Sequence, residues 1–78
     1  MKTKKPPIVS VAWHDAFSTD AWTDLDRIGS EPHRCLSVGY MVGKNKDFVS
    51  VAGTISEDGQ GCCVIHIPTG WIKKITHL

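Results

Sequence analysis

The stretch that most restricts what this chain can fold into is Cys62 to Leu78, CCVIHIPTGWIKKITHL. Cys63, Ile65 and Ile67 alternate with Val64 and His66, the two-residue period of a strand rich in β-branched side chains. Pro68 has no N–H to give to a ladder, so the strand is expected to stop there. Thr69-Gly70 supplies a corner, and Trp71 to Leu78 reads as a last short strand. A strand, a tight corner and a returning strand suggest a small sheet that closes on itself.

Upstream segments supply its partners. Ile8 to His14 reads as a first strand, with Val9, Val11 and Trp13 on one face. Cys35 to Val42 alternates again: Leu36, Val38, Tyr40 and Val42 share one face, and Cys35, Ser37, Gly39 and Met41 the other. Phe48 to Ile55 is a third strand, with Val49, Val51 and Ile55 opposite Phe48, Ser50, Ala52 and Thr54. The more apolar face of each strand is expected to turn inward. That predicts one core of Val11, Trp13, Leu36, Val38, Val49, Val51, Ile65, Ile67 and Ile72.

Two turns join the later strands. Gly43 to Asp47 is polar, with Gly and Asn available for positive φ. Glu57-Asp58-Gly59-Gln60-Gly61 carries Asp-Gly, a strong hairpin signal. Gly39 and Gly53 fall inside strands and are expected to mark bends or bulges.

The first connection, DAFSTDAWTDLDRIG, differs in kind. Ser18, Thr19 and Asp20 are candidate N-caps, Trp22, Leu25 and Ile28 recur three apart, and Gly29 suits a stop. The spacing predicts one short helix whose Trp22 stripe docks as a lid, because so short a helix does not persist alone in water. The expected fold is therefore mainly β: a five-stranded SH3-like or Sm-like barrel with one short helix between the first and second strands. Residues 8–78 form its single domain, and residues 1–7, with three lysines and Pro6-Pro7, a flexible basic lead.

Composition limits the function classes. The 78 residues are 41% hydrophobic and 22% charged, ordinary for a globular chain, and the net charge of +1 is far from that of a dedicated nucleic-acid binder. An odd count of three cysteines, two adjacent, is no disulfide framework and suits a reducing cytoplasm. The basic start has no long apolar run behind it, so no secretory signal is read, and nothing approaches the roughly 18 apolar residues of a membrane span.

No motif for catalysis or cofactor binding stands out, and the expectation is a protein that is not an enzyme and uses no cofactor. Cysteine and histidine are present, but there is no C-x-x-C or H-x-x-x-H spacing. Cys62 and Cys63, consecutive in a strand, are expected to point to opposite faces, and all three cysteines are expected to stay reduced and hold no metal. A strand cysteine among apolar neighbours should have a raised pKa and be inert. Aromatics with lysines leave a nucleic-acid groove as an alternative: Trp13, Trp22, Tyr40 and Trp71 with Lys44, Lys46, Lys73, Lys74 and the N-terminal lysines. Trp71, at a corner, reads equally as a plug for the open end of the barrel or as a contact residue.

The pattern Val11-x-Trp13-x-Asp15-Ala16-x-Ser18, Trp22, Ser37-Val38-Gly39-Tyr40, Asp58-Gly59 and Ile67-Pro68-x-Gly70-Trp71-Ile72 resembles small uncharacterised proteins of bacteriophages and prophages. The likeness runs from Val9 to Leu78 and is one of overall pattern, with no catalytic residue to carry over. It implies work in the bacterial host cytoplasm, by occupying a host protein or by sequestering a nucleotide-like signalling molecule, including in counter-defence. The binding residues expected are Trp71, Tyr40, Lys73, Lys74 and Trp22. The short core and the apolar end of the chain add an expectation of a homo-oligomer, with Trp71 near the contact and Leu78 frayed in a monomer.

Overall fold

In the computed structural model, residues 5–16, 18, 20–29 and 31–78 are described. Much of the basic lead and the candidate cap Thr19 lie outside them. Strands β1 (Ile8–Asp15), β2 (His33–Lys44), β3 (Phe48–Ile55), β4 (Gly61–Pro68) and β5 (Ile72–His77) form one open antiparallel sheet in the order β4-β3-β2-β1-β5. The mainly β class expected from alternation is what forms. Pairing begins before β1 itself, since the Met41 N–H donates to the Pro7 carbonyl at 2.9 Å. At the other end the Leu78 N–H donates to Ile8 at 2.9 Å, so the terminal backbone is tied down although its side chain is exposed.

The inner face is one cluster: Val9, Val11 and Trp13 from β1, Val49 and Val51 from β3, and Ile67 from β4. Cys35, Met41, Ile72 and Ile75 pack against it, half-buried. Because β1 and β4 are three strands apart in the sheet, their side chains meet only if the sheet curls strongly. At Gly39 the backbone of β2 comes close to β3: a Cβ there would stand 2.5 Å from the Ala52 carbonyl oxygen. Two bulges add to the curl. Val42 is the extra residue of β2 against β3, and Lys73 that of β5 against β1.

The most consequential departure from expectation is the orientation of β2. The register pairs Val9 with Gly39, Val11 with Ser37 and Trp13 with Cys35, so the small and polar residues of β2 face inward. Leu36 and Val38, expected in the core, lie opposite Ala12 and Ser10 on the outer face and are 69% and 58% exposed. A one-residue choice of register exchanges the faces of a whole strand, and here it is decided by room rather than hydrophobicity. Trp13 needs small neighbours, and its indole Nε1–H donates to Ser37 Oγ at 3.0 Å. Ile65, also expected inside, is 39% exposed near the edge on β4, whereas Ile72 packs on the core.

The helix is the second correction. Among the described residues between β1 and β2 the only helical element is a 3-10 turn, Leu25–Arg27, whose N-cap Asp24 makes no side-chain cap bond. Trp22 is fully exposed, as are Leu25 and Ile28 in large part, so the stripe does not dock on the sheet. Without that docking a longer helix has nothing to hold it.

The hairpins form where expected, by partly different means. Gly59 takes φ 89°, and Ser56 closes its turn through its carbonyl and hydroxyl, which accept from Gly59 N–H at 3.1 Å and Gln60 N–H at 2.9 Å. The turn at Asn45 uses no positive φ. The Asn45 side-chain oxygen instead accepts from the N–H groups of Asp47 and Phe48, at 2.8 and 2.9 Å. β4 ends at Pro68 as predicted, and Thr69–Trp71 is a second 3-10 turn, not the start of the last strand. No helix among the described residues is long and apolar enough to cross a membrane.

Candidate functional site

The orientation of β2 sets an apolar surface on the outer face of the sheet. Ile8, Tyr40, Ala52 and Val64 are Cα partners in succession across β1, β2, β3 and β4, forming one row. Ser10 and Val38 form part of the next row, Ala12 and Leu36 of the one after. Leu36, Val38 and Ile8 are exposed, as is Val64, which the fully buried Ala52 separates from them. Single exposed apolar residues need no explanation, but Ile8, Val38 and Leu36 stand together on β1 and β2, and a contiguous exposed apolar group is the kind of surface proteins use for contact.

The rim of this surface carries positive charge. Lys74 lies opposite Ala12 on the outer face, and Arg34, paired with His14, sits one step past Leu36. Arg34 also reaches Glu31 at 3.3 Å, an exposed ion pair that a partner's carboxylate can replace at little cost. Toward β4, Ser50 Oγ and His66 Nδ1 share a hydrogen bond of 2.6 Å, and the Phe48 ring meets the His66 imidazole edge-on at 5.3 Å.

The residues expected to bind do not converge. Tyr40 belongs to the outer row, and Lys74 shares that face on a strand separated from it by β1. Lys73 is the bulge residue of β5. Trp22 stands on the excursion beside Asp20, Ala21, Thr23 and Ile28, lining an open depression. Trp71 lies almost parallel to Trp13, with ring centroids 6.4 Å apart and planes at 12°, and keeps 39% of its surface exposed. The sequence reading missed Leu36 and Val38 as surface residues. The overlooked signal was that the opposite face of β2, Cys35-Ser37-Gly39, is the only one small enough to face Trp13.

The cysteines also differ from expectation. Cys63 has φ 57°, the sole non-glycine positive φ among the described residues, and this turns its thiol toward Cys62 instead of the opposite face. The two sulfurs are 3.6 Å apart, and both residues are exposed on the edge strand. The hydrogen bond to Cys62 and the repulsion between two neighbouring thiolates hold the Cys63 pKa above that of an ordinary thiol, with burial adding to this. The shift has the expected direction, but its main cause is the neighbouring cysteine.

No family model, curated protein or solved structure matches the chain.

Proposed function

We propose that this chain is a non-enzymatic binding protein that docks a partner protein on the outer face of its sheet, around Leu36, Val38, Ile8 and Val64. The observation that carries the proposal is the outward apolar side of β2, with Leu36 69% exposed. A broad apolar sheet face with Arg34 and Lys74 at its rim suits a protein segment of mixed apolar and acidic character. A nucleotide-like ligand asks for a concave site with convergent polar groups, which this face does not offer. With the resemblance to phage proteins, the partner is a bacterial host protein met in the cytoplasm, and counter-defence is one setting for it.

The same reading takes the fold as a small SH3-like or Sm-like barrel. The strand order β4-β3-β2-β1-β5, the 3-10 turn before the last strand and a core joining β1 to β4 support it.

The test is capture from bacterial lysate with wild type and with a Leu36→Lys/Val38→Lys variant, followed by titration of the purified captured protein. A protein held by wild type and lost from the variant is the expected result. Equal retention by both overturns the assignment of the face. A salt-sensitive gel shift with single-stranded nucleic acid, and no protein partner, favours the nucleic-acid alternative instead.

A further inference from the structure

The inner face does not stay apolar to its end. Along β1 the inward positions are Val9, Val11, Trp13 and then Asp15, and along β2 they are Gly39, Ser37, Cys35 and then His33. The register makes Asp15 and His33 direct partners and places Cys35 two residues from His33 on the same side. A carboxylate, an imidazole and a thiol thus form the layer just beyond the Trp13 and Trp71 rings. One donor atom from each lies within 4.8 Å of the other two. The Cys35 thiol leans the same way, with Sγ 3.7 Å from the His33 carbonyl oxygen.

We propose that Asp15, His33 and Cys35 form a site for a zinc-class divalent cation, with three protein ligands and a fourth position open to water or an incoming donor. Carboxylate oxygen, imidazole nitrogen and thiolate sulfur are the three donor types that such an ion takes. At bond lengths of about 2.0–2.3 Å, a tetrahedral ion sets its donors about 3.3–3.8 Å apart. The group therefore needs side-chain rotation of about an ångström to close on an ion, with the strands left where they are.

Cys35 is held from behind by the core, while Asp15 is half-buried and His33 exposed. Asp15 ends β1 and His33 begins β2, so the ion fastens the base of the excursion that carries Trp22, Leu25 and Ile28. Spacing in the sequence hides this site: H-x-C places two ligands on one side of a strand, and the third comes from the strand beside it. The site stands apart from the outer face and does not depend on its role.

Titration of the full chain with cobalt(II), a coloured substitute for zinc, tests the proposal, with zinc added afterwards to displace it. The expected result is one saturable equivalent with thiolate-to-cobalt charge-transfer absorption in the near ultraviolet and visible bands of a tetrahedral ion. Cys35→Ser should abolish the charge-transfer band. His33→Gln and Asp15→Asn, at more open positions, should each weaken binding by about tenfold or more, since even indirect supporting residues are worth that much. Zinc should raise the melting temperature of wild type and of Cys62→Ala/Cys63→Ala, but not of the three ligand variants. The absence of a saturable equivalent overturns the site. So does a band that survives Cys35→Ser, or one that Cys62→Ala/Cys63→Ala removes, because the adjacent thiols would then be the binding group. If Cys35→Ser does not fold, His33→Gln and Asp15→Asn decide: unchanged affinity in both rejects the site.

Discussion

Trp13 and Ser37 are joined by a 3.0 Å hydrogen bond from the indole Nε1–H to the serine Oγ, across β1 and β2. That contact fixes which side of β2 faces the core. A buried indole needs an acceptor, and a small hydroxyl residue supplies one while leaving space for the ring. The neighbouring positions Leu36 and Val38 are thereby sent outward.

Ser37→Ala should remove the acceptor and leave the Trp13 N–H poorly satisfied. A loss of about 1 kcal/mol is expected in denaturant unfolding. An unchanged midpoint would mean that the bond does not fix the register.

Gly39→Ala should be more damaging. A Cβ there would meet the Ala52 carbonyl oxygen at 2.5 Å and the Val51 side chain at 2.8 Å, so backbone must move. The expected cost is about 1–3 kcal/mol. Gly29→Ala, with nothing within 4 Å, is the control and should stay within about 0.5 kcal/mol of wild type. Equal stability of the two variants would deny the close approach of β2 to β3.

Much of the fold was legible because alternation and turn chemistry are local. Ile8 to Ile67 yielded four strands close to their true limits, and Asp58-Gly59 and Pro68 marked real boundaries. The facing of β2 was not legible, since it depends on what lies across the sheet: Leu36 is the better core residue alone, but Cys35 is the one that fits opposite Trp13. The helix failed for a related reason. Trp22, Leu25 and Ile28 have the right spacing, yet a stripe makes a helix only where a surface receives it. The adjacent thiols were hidden by the positive φ of Cys63, which β-strand periodicity does not anticipate.

The neighbouring thiol should slow the reaction of Cys63. A raised pKa leaves less thiolate at a given pH, and the thiolate is the nucleophile. In Cys62→Ala the main cause of the shift is gone, so Cys63 should alkylate faster at pH 8 than in wild type, as read by peptide mass spectrometry. All three thiols of denatured wild type should titrate as free groups. An equal or slower Cys63 rate in the variant would contradict the assigned cause.

We also predict self-association through the outer face of β2, in competition with a partner protein for it. Light scattering at micromolar concentration should give a wild-type mass of twice the chain, in keeping with the common two-fold arrangement. Leu36→Lys/Val38→Lys should be monomeric, whereas Trp71→Ala should keep the dimer and lose stability, because Trp71 stacks on Trp13. A dimer lost only with Trp71→Ala would move the contact to the corner before β5. A monomeric wild type would remove self-association altogether.

The outward facing of Leu36 and Val38 is tested most directly by thermal unfolding of Leu36→Lys/Val38→Lys. Surface positions tolerate charge, so at a concentration low enough to keep wild type monomeric the variant should fold and melt within about 5 °C of it, the shift that roughly 1 kcal/mol produces in a domain of this size. Two lysines in a core would bury unpaired charge and leave so small a domain largely unfolded. A variant without a cooperative transition, or one melting tens of degrees lower, would show that β2 turns its apolar side inward and that the outer face is not a docking surface.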